Sequence, residues 1–305
     1  MTSTFKNVAV VGAGGNLGPF IVKALLKANF HVSAITRSTS SSTFPSGVHV
    51  VKGDYSPSFL SSAFKGIDAV VLAVGAGGFG EQKNLIDAAA KAGVKRLLPS
   101  EFGSDTANPT TVAAVPIFQS KVDIINYLKT TSAAHPGFTW TAVVTGAFYD
   151  WCLGLGFLGF NHSNHHATLW DQGHGRFETT ALSTIGSAVA AILSHPEKYG
   201  NEYLYVNSFT TSQAEIFAAL KKASGGKEWT VEERSADAYI QGGKEKWAKG
   251  EIEGVYDLIF GTTFKGGYGG EYSAIRKISN QELGIEEDNL EKVTAEVYQA
   301  AVASH

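Results

Sequence analysis

The chain has 305 residues, 44% of them hydrophobic, and a formal net charge of −3. A chain of this length can bury roughly three quarters of the surface its unfolded form exposes, enough for one large core or two smaller ones. The slight acidic excess argues against a general nucleic-acid binder, the lone Cys152 excludes an internal disulfide, and no apolar run approaches the roughly 20 residues of a membrane span. Since Met1–Asn7 carries no apolar signal-like run, the expected setting is cytoplasmic.

Short runs rich in β-branched residues at Val8–Val11, His31–Ile35, Val48–Val51, Ala69–Val74 and Arg96–Leu98 predict buried strands. The intervening stretches Leu17–Ala28, Pro57–Phe64 and Gln82–Ala92 predict crossover helices. Right-handed crossovers place such helices on both faces of a parallel sheet, so the expected class is α/β, an NAD(P)-binding Rossmann doubly wound parallel sheet. A further helix at Ile117–Leu128 leads into a strand at Thr139–Val144, after which the alternation gives way to a Gly-, His- and aromatic-rich stretch. Ser183–Leu193, Ser212–Ala223 and Leu290–Ala301 read as helices and Glu202–Val206 as a strand. The expected division is a cofactor domain over residues 1–148, with 181–210 returning to it, and a smaller α/β substrate domain from 149–180 and 211–305.

The first strand runs directly into Gly12-Ala13-Gly14-Gly15-Asn16-Leu17-Gly18 and then a helix. A glycine-rich turn between strand and helix lets a pyrophosphate approach the amides at the helix N-terminus, where the helix dipole favours an anion. In an NAD site an acidic residue about 20 positions on binds the ribose 2′-hydroxyl. Here that place holds Thr36-Arg37, and no Asp or Glu precedes Asp54. Arg37 can grip a 2′-phosphate bidentately, with Ser38 and the Ser/Thr loop to Ser46 adding hydroxyl donors, so the expected cofactor is NADP(H).

In the helix around Ile117–Leu128, residues Phe118, Val122, Ile125 and Leu128 form an apolar stripe with Lys121 on its edge. Such a lysine either snorkels to water or directs its ammonium into a cleft, where desolvation lowers its pKa toward acid–base use. With Gly12–Gly18, Arg37, Lys95-Arg96-Leu97-Leu98-Pro99-Ser100-Glu101-Phe102-Gly103 and this lysine, the sequence resembles the isoflavone reductase-like group of atypical short-chain dehydrogenases, which includes phenylcoumaran benzylic ether and pinoresinol-lariciresinol reductases and the NmrA-like regulators. The likeness spans at least residues 7–150, and beyond residue 180 it is to fungal isoflavone reductase-like proteins. It implies that Lys121 is the family's catalytic lysine, beside the nicotinamide and handling a phenolic or carbonyl proton. Ordinary short-chain dehydrogenases carry a Tyr four residues earlier, but Ile117 stands here.

Other positions have two readings each. Val74 and Gly75, closing the fourth strand, pass the cofactor's ribose and phosphates or form a mobile loop. Gly146 and Phe148 follow the strand ending at Val144, at the sheet edge where ligands bind; Phe148 lines the nicotinamide pocket or packs in the core. His162, His165, His166 and His174 fit no zinc spacing, so no metal is expected. Tyr149, Trp151, Phe157 and Phe160 form an aromatic wall for a planar substrate or simply core. The leading expectation is an NADPH-dependent reductase of an aromatic or conjugated small molecule, with no nucleic-acid or membrane partner. The alternative is an NmrA-like NADP(H) sensor without turnover.

Overall fold

The computed structural model describes residues 4–303. In the first part, β1 (Asn7–Val11), α1 (Gly18–Lys27), β2 (His31–Arg37), β3 (Val48–Gly53), α2 (Pro57–Ala63), β4 (Ala69–Leu72), α3 (Gln82–Lys91) and β5 (Arg96–Leu98) follow one another. Next come α4 (Pro109–Ala114), α5 (Gln119–Ala134) and β6 (Thr139–Val144). Ser56 and Asn108 cap α2 and α4 with their side-chain oxygens, each followed by a proline whose missing N–H is no loss in a first turn.

Three boundaries differ from the sequence pattern. β2 and β3 run on to pair Arg37 with Gly53. β4 stops at Leu72: Ala73 still donates to the Val11 carbonyl at 2.8 Å, but the chain beyond leaves the ladder. The helix that carries Lys121 opens with a separate 3-10 turn, Pro116–Phe118, and continues to Ala134. Its buried face is Lys121, Ile124, Ile125, Leu128 and Thr131, so Lys121 lies within the stripe and not at its edge.

The chain then forms β7 (Ala147–Phe148), α6 (Tyr149–Gly154), β8 (Phe160–Asn161), β9 (His166–Trp170) and β10 (Arg176–Thr180). After them come α7 (Leu182–Ser194), β11 (Glu202–Tyr205), β12 (Phe209–Ser212), α8 (Gln213–Ala223), β13 (Thr230–Arg234), α9 (Ala236–Ala248), α10 (Glu253–Lys265) and α11 (Leu290–Ala303). β11 joins the main sheet, whose order is β11-β6-β5-β4-β1-β2-β3 with every pairing parallel. The order reverses between β1 and β4, which opens a crevice at their carboxyl ends. Ile21, Val22 and Leu25 of α1 and Ile185 and Val189 of α7 cover one face of the sheet. Leu60, Leu85, Ile86, Ile125 and Leu128 cover the other. Each such fully buried side chain contributes roughly 1.5–3 kcal/mol.

The remaining strands form two three-stranded sheets, β12-β10-β7 and β13-β9-β8, packed with α8, α10 and α11. Their shared core is aromatic: Tyr149, Phe160, Phe177 and Phe264 are fully buried. Trp170 stacks between Tyr239 and Phe264 with ring centroids 5.0 Å away on each side. Tyr149 and Phe160 are therefore core and not a substrate wall, while Phe157, 39% exposed, stacks on Phe260. The four histidines form no metal-holding cluster among the described residues, although His162 and His165 both pack on Trp229 and Tyr298. His162 is buried with Nε2 2.7 Å from the Leu153 carbonyl, His165 Nε2 lies 2.9 Å from the Tyr298 hydroxyl, His166 faces Glu232 and His174 is exposed.

Candidate active site

The glycine loop after β1 holds its shape through close backbone approaches. Gly12 has φ +84°, and a β-carbon there would overlap the Ala73 carbonyl, the first residue past β4. At Gly18 it would overlap the Gly12 carbonyl, and at Gly14 the Ser42 side chain. Gly15 differs: the nearest atom to a β-carbon would be Gly12 O at 3.3 Å, and one side of the residue opens into a cleft. The first turn of α1 has no side-chain cap at Leu17; Pro19 has no N–H and the Phe20 amide already donates to the Leu17 carbonyl at 3.1 Å, so the amides of Leu17 and Gly18 are the ones left for a ligand.

That cleft, of about 330 Å³, is walled by Gly15, Asn16 and Leu17 on one side and Ala73, Val74 and Gly75 on the other. Ser100 and Phe102, just past β5, and Lys121 and Phe148 close it. Ser100 ties the wall together: its hydroxyl donates to the Val74 carbonyl at 2.5 Å and its amide to Gln82 Oε1 at 3.0 Å. The segment Pro99–Gly103 was legible as a motif, but the wall-forming part of Ser100 and Phe102 was not. Position alone could have found it, since both follow β5 at the carboxyl edge beside the switch point.

Arg37 ends β2 at the carboxyl edge of the sheet and is exposed together with Ser38. The following loop folds back, seating Ser42 on Gly14 and packing Phe44 against the core under α1. Lys52 Nζ donates to the Ser40 carbonyl at 2.7 Å and holds this loop to β3. The Thr36 hydroxyl is buried beside it with no hydrogen-bond partner in the structure.

Lys121 is 9% exposed, and its ammonium donates to the main-chain carbonyl of Glu101. Glu101 is 1% exposed, and its carboxylate accepts from the Thr106 hydroxyl. Burial drives the two groups in opposite directions, the Lys121 ammonium below the ordinary lysine range and the Glu101 carboxyl above the ordinary carboxylate range. Each partner's charge opposes the other's shift.

Phe148 does both things the sequence allowed, lining the cleft and packing on the α1-side core. Gly146 does not reach the cleft wall. Its φ is +62°, and a β-carbon would overlap the Glu178 carbonyl on β10, so the glycine is explained by close backbone approach. It lines a second, small cavity of about 30 Å³ with Ser104, Phe118, Glu178, Thr262 and Tyr272. Two of its lining residues are close in sequence to the lysine site, Phe118 three residues before Lys121 and Ser104 next to Gly103. Arg96, part of the same motif as Glu101, is structural: buried, it donates to Thr139 Oγ1 at 2.7 Å, Thr141 Oγ1 at 3.1 Å and the Lys198 carbonyl at 2.8 Å.

Residues 4–235 match the model of the NmrA-like family. The chain belongs to the NmrA-like family. Within that family it is similar to the oxidoreductase aprR of Aspergillus flavus, 40% identical over 95% of this chain and 98% of that one. It is 31% identical to the oxidoreductase poxI of Penicillium oxalicum over 94% and 92% of the two chains. By these relatives it is an oxidoreductase. Among solved structures, this NmrA-like chain superposes on AtPrR2 with NADP+ and (+)pinoresinol at a TM-score of 0.74 and 21% identity, covering 97% and 100% of the two chains. Leucoanthocyanidin reductase from Vitis vinifera gives a TM-score of 0.73 and 16% identity, covering 96% and 99%. Those two likenesses are of fold.

Proposed function

We propose that this oxidoreductase is an NADPH-dependent reductase that delivers a hydride to an aromatic or conjugated small molecule, with Lys121 as the proton donor. The observation that carries the reading is the meeting, in one cleft, of an open glycine loop at an uncapped helix N-terminus with a buried lysine. The residues present fit a dinucleotide. Gly15 and Gly75 leave room a β-carbon would fill, and the orphaned Thr36 hydroxyl and exposed Arg37 at the carboxyl end of β2 support an adenosine ribose and its phosphate there. The relatives named oxidoreductases, and structural neighbours solved with NADP+ or as reductases, point the same way.

Bound NADPH supplies the hydride. On the protein's side, the amides of Asn16, Leu17 and Gly18 would hold the pyrophosphate, with Gly12 and Gly14 shaping the turn and Gly15, whose own amide donates to the Gly12 carbonyl at 3.0 Å, leaving room for its approach. Arg37 and Ser38 bind the 2′-phosphate through charge-assisted bonds. Val74 and Gly75 border the ribose, and Phe148 walls the nicotinamide pocket. Lys121 stands where an oxyanion develops on the substrate and gives it a proton. Residues 149–180 and 211–305 form the substrate side, with the chamber beside Glu178 and Tyr272 as its inner end. No described helix is long and apolar enough to cross a membrane, and a cytoplasmic setting belongs to this proposal.

The test is consumption of NADPH against a panel of phenolic and enone compounds, with Lys121→Ala beside the wild type. Turnover that disappears in the variant while NADPH still binds supports the reading. Full activity in Lys121→Ala, or tight NADPH binding without turnover of any compound, overturns it, and the second outcome favours a sensor.

A further inference from the structure

The proposed reaction uses Lys121 but gives no part to the acid beside it. Glu101 is among the most deeply buried charged residues of the described chain, and the basic side chain whose charge acts on its carboxylate is Lys121. A carboxylate withdrawn from water needs compensation, since an isolated buried charge is strongly disfavoured. Its neighbours are few. Thr106 donates to Oε1, Asp105 adds a second negative charge nearby, and Tyr203 faces it with a hydroxyl that also bonds Thr106. Asp105 pairs with Arg276 at 3.1 Å and accepts from Tyr205 at 3.1 Å, so the positive charge of Arg276 is directed to Asp105 and not to Glu101.

The geometry of the backbone adds the second half. Glu101 follows Ser100 in the turn after β5, and its own carbonyl receives the Lys121 ammonium. Gly103, two residues on, leaves the room that ammonium occupies: a β-carbon there would stand 3.4 Å from Lys121 Nζ. One residue therefore supplies a fixed acceptor to the lysine at the cleft and, when ionised, a negative charge that acts on it.

We propose that Glu101 is a positioning residue of this site, its main-chain carbonyl aiming the Lys121 ammonium and its buried carboxylate keeping that ammonium charged for proton donation. The inference rests on the reading of Lys121 as proton donor, but its physical core concerns the protein without substrate. Thr106 acts through Glu101: by donating to the carboxylate it favours the ionised form. Burial alone works against the charged lysine, so without the carboxylate Lys121 loses its proton at lower pH.

The experiment is a pH titration by NMR of protein carrying 13C-labelled lysine, with the Lys121 resonance identified by its loss in Lys121→Arg. In Glu101→Gln, which keeps the main-chain carbonyl, the Lys121 midpoint should fall by about one pH unit or more. Thr106→Val should give a smaller fall in the same direction, and Thr106→Ser should restore the wild-type midpoint. Coincident midpoints in wild type and Glu101→Gln would overturn the proposal, and thermal melts of each variant show whether it is folded. With a turned-over substrate, the alkaline limb of kcat/KM should move down by the same interval in Glu101→Gln, whereas a uniform drop without displacement would mark Glu101 as merely structural. If no substrate is turned over, the reductase reading fails while the titration still decides this one.

Discussion

The half of the molecule built on β1–β6 and the half built on β8–β10 with α8–α11 treat their conspicuous residues differently. In the first, glycines and polar residues gather at strand ends, where the backbone turns and a cleft opens between Gly15 and Gly75. In the second, residues equally conspicuous in the sequence, such as Trp170, Phe160 and Tyr149, interlock with one another and turn away from the cleft. A cluster of aromatic or histidine residues thus gives no direction of its own. The position of a residue relative to the carboxyl edge of a sheet does.

The largest expected effect tests the first half. Lys121→Ala should lower kcat by about 10²–10⁴-fold, the range for removing a general acid, with NADPH affinity little changed by calorimetry. The wild-type rate should fall as pH rises through the Lys121 pKa, because proton donation needs the ammonium. Burial places that pKa below the ordinary lysine range, so the decline should begin at a lower pH than a solvent-exposed lysine would give. The second half should answer differently. Trp170→Ala, which leaves a cavity between Tyr239 and Phe264, should cost about 3–5 kcal/mol in denaturant unfolding. If that variant instead kept its stability and raised KM alone, the aromatic wall would be restored and the contrast between the halves would break.

Between these lies Arg37 at the end of β2, proposed to hold the adenosine phosphate. Arg37→Ala should weaken NADPH binding by about 1.5–3 kcal/mol and leave NADH binding nearly unchanged, since only NADPH carries the group Arg37 addresses. Equal losses for both cofactors would mean that Arg37 supports the fold of the loop and not the phosphate.

The legibility of the sequence follows the same division. β1, β2, β4, β5 and β6 are largely buried, so their apolar runs announce them, and the helices between most of them read as crossovers. The glycine loop and Arg37 are set by local sequence and were readable as such. α4, α6, α9, α10 and β7–β10, β12 and β13 were not. β7 and β8 are two residues long, α9 carries Gly242 and Gly243 within it, and β13 is mostly exposed, so none shows the period that burial on one face imposes. At the site, Lys121 was visible and Glu101 was visible as part of a motif, while the part Glu101 plays, and Thr106 and Gln82, were not, because their importance comes from burial against partners 5 to 20 residues away. Gly146 misled for the mirror-image reason: a glycine at a sheet edge suggested a ligand, and the neighbour it admits is the backbone of β10.

The smallest effect separates two glycines of one loop. At Gly12 a new β-carbon meets the Ala73 carbonyl, a backbone atom pinned by the β1–β4 ladder, and the residue must also hold φ +84°. Neither can relax, so Gly12→Ala should destabilise the fold by more than 1 kcal/mol, the lower end for strained backbone. At Gly14 the obstacle is the side chain of Ser42, in an irregular segment on the surface that can move outward. Gly14→Ala should therefore leave unfolding within about 0.5 kcal/mol of the wild type, as surface changes do. It should still weaken NADPH binding a few-fold, because the displaced segment carries Ser38 and the hydroxyls beside Arg37. A Gly14→Ala protein with unaltered NADPH affinity would show that the loop's resting place on the glycine turn has no part in holding the cofactor.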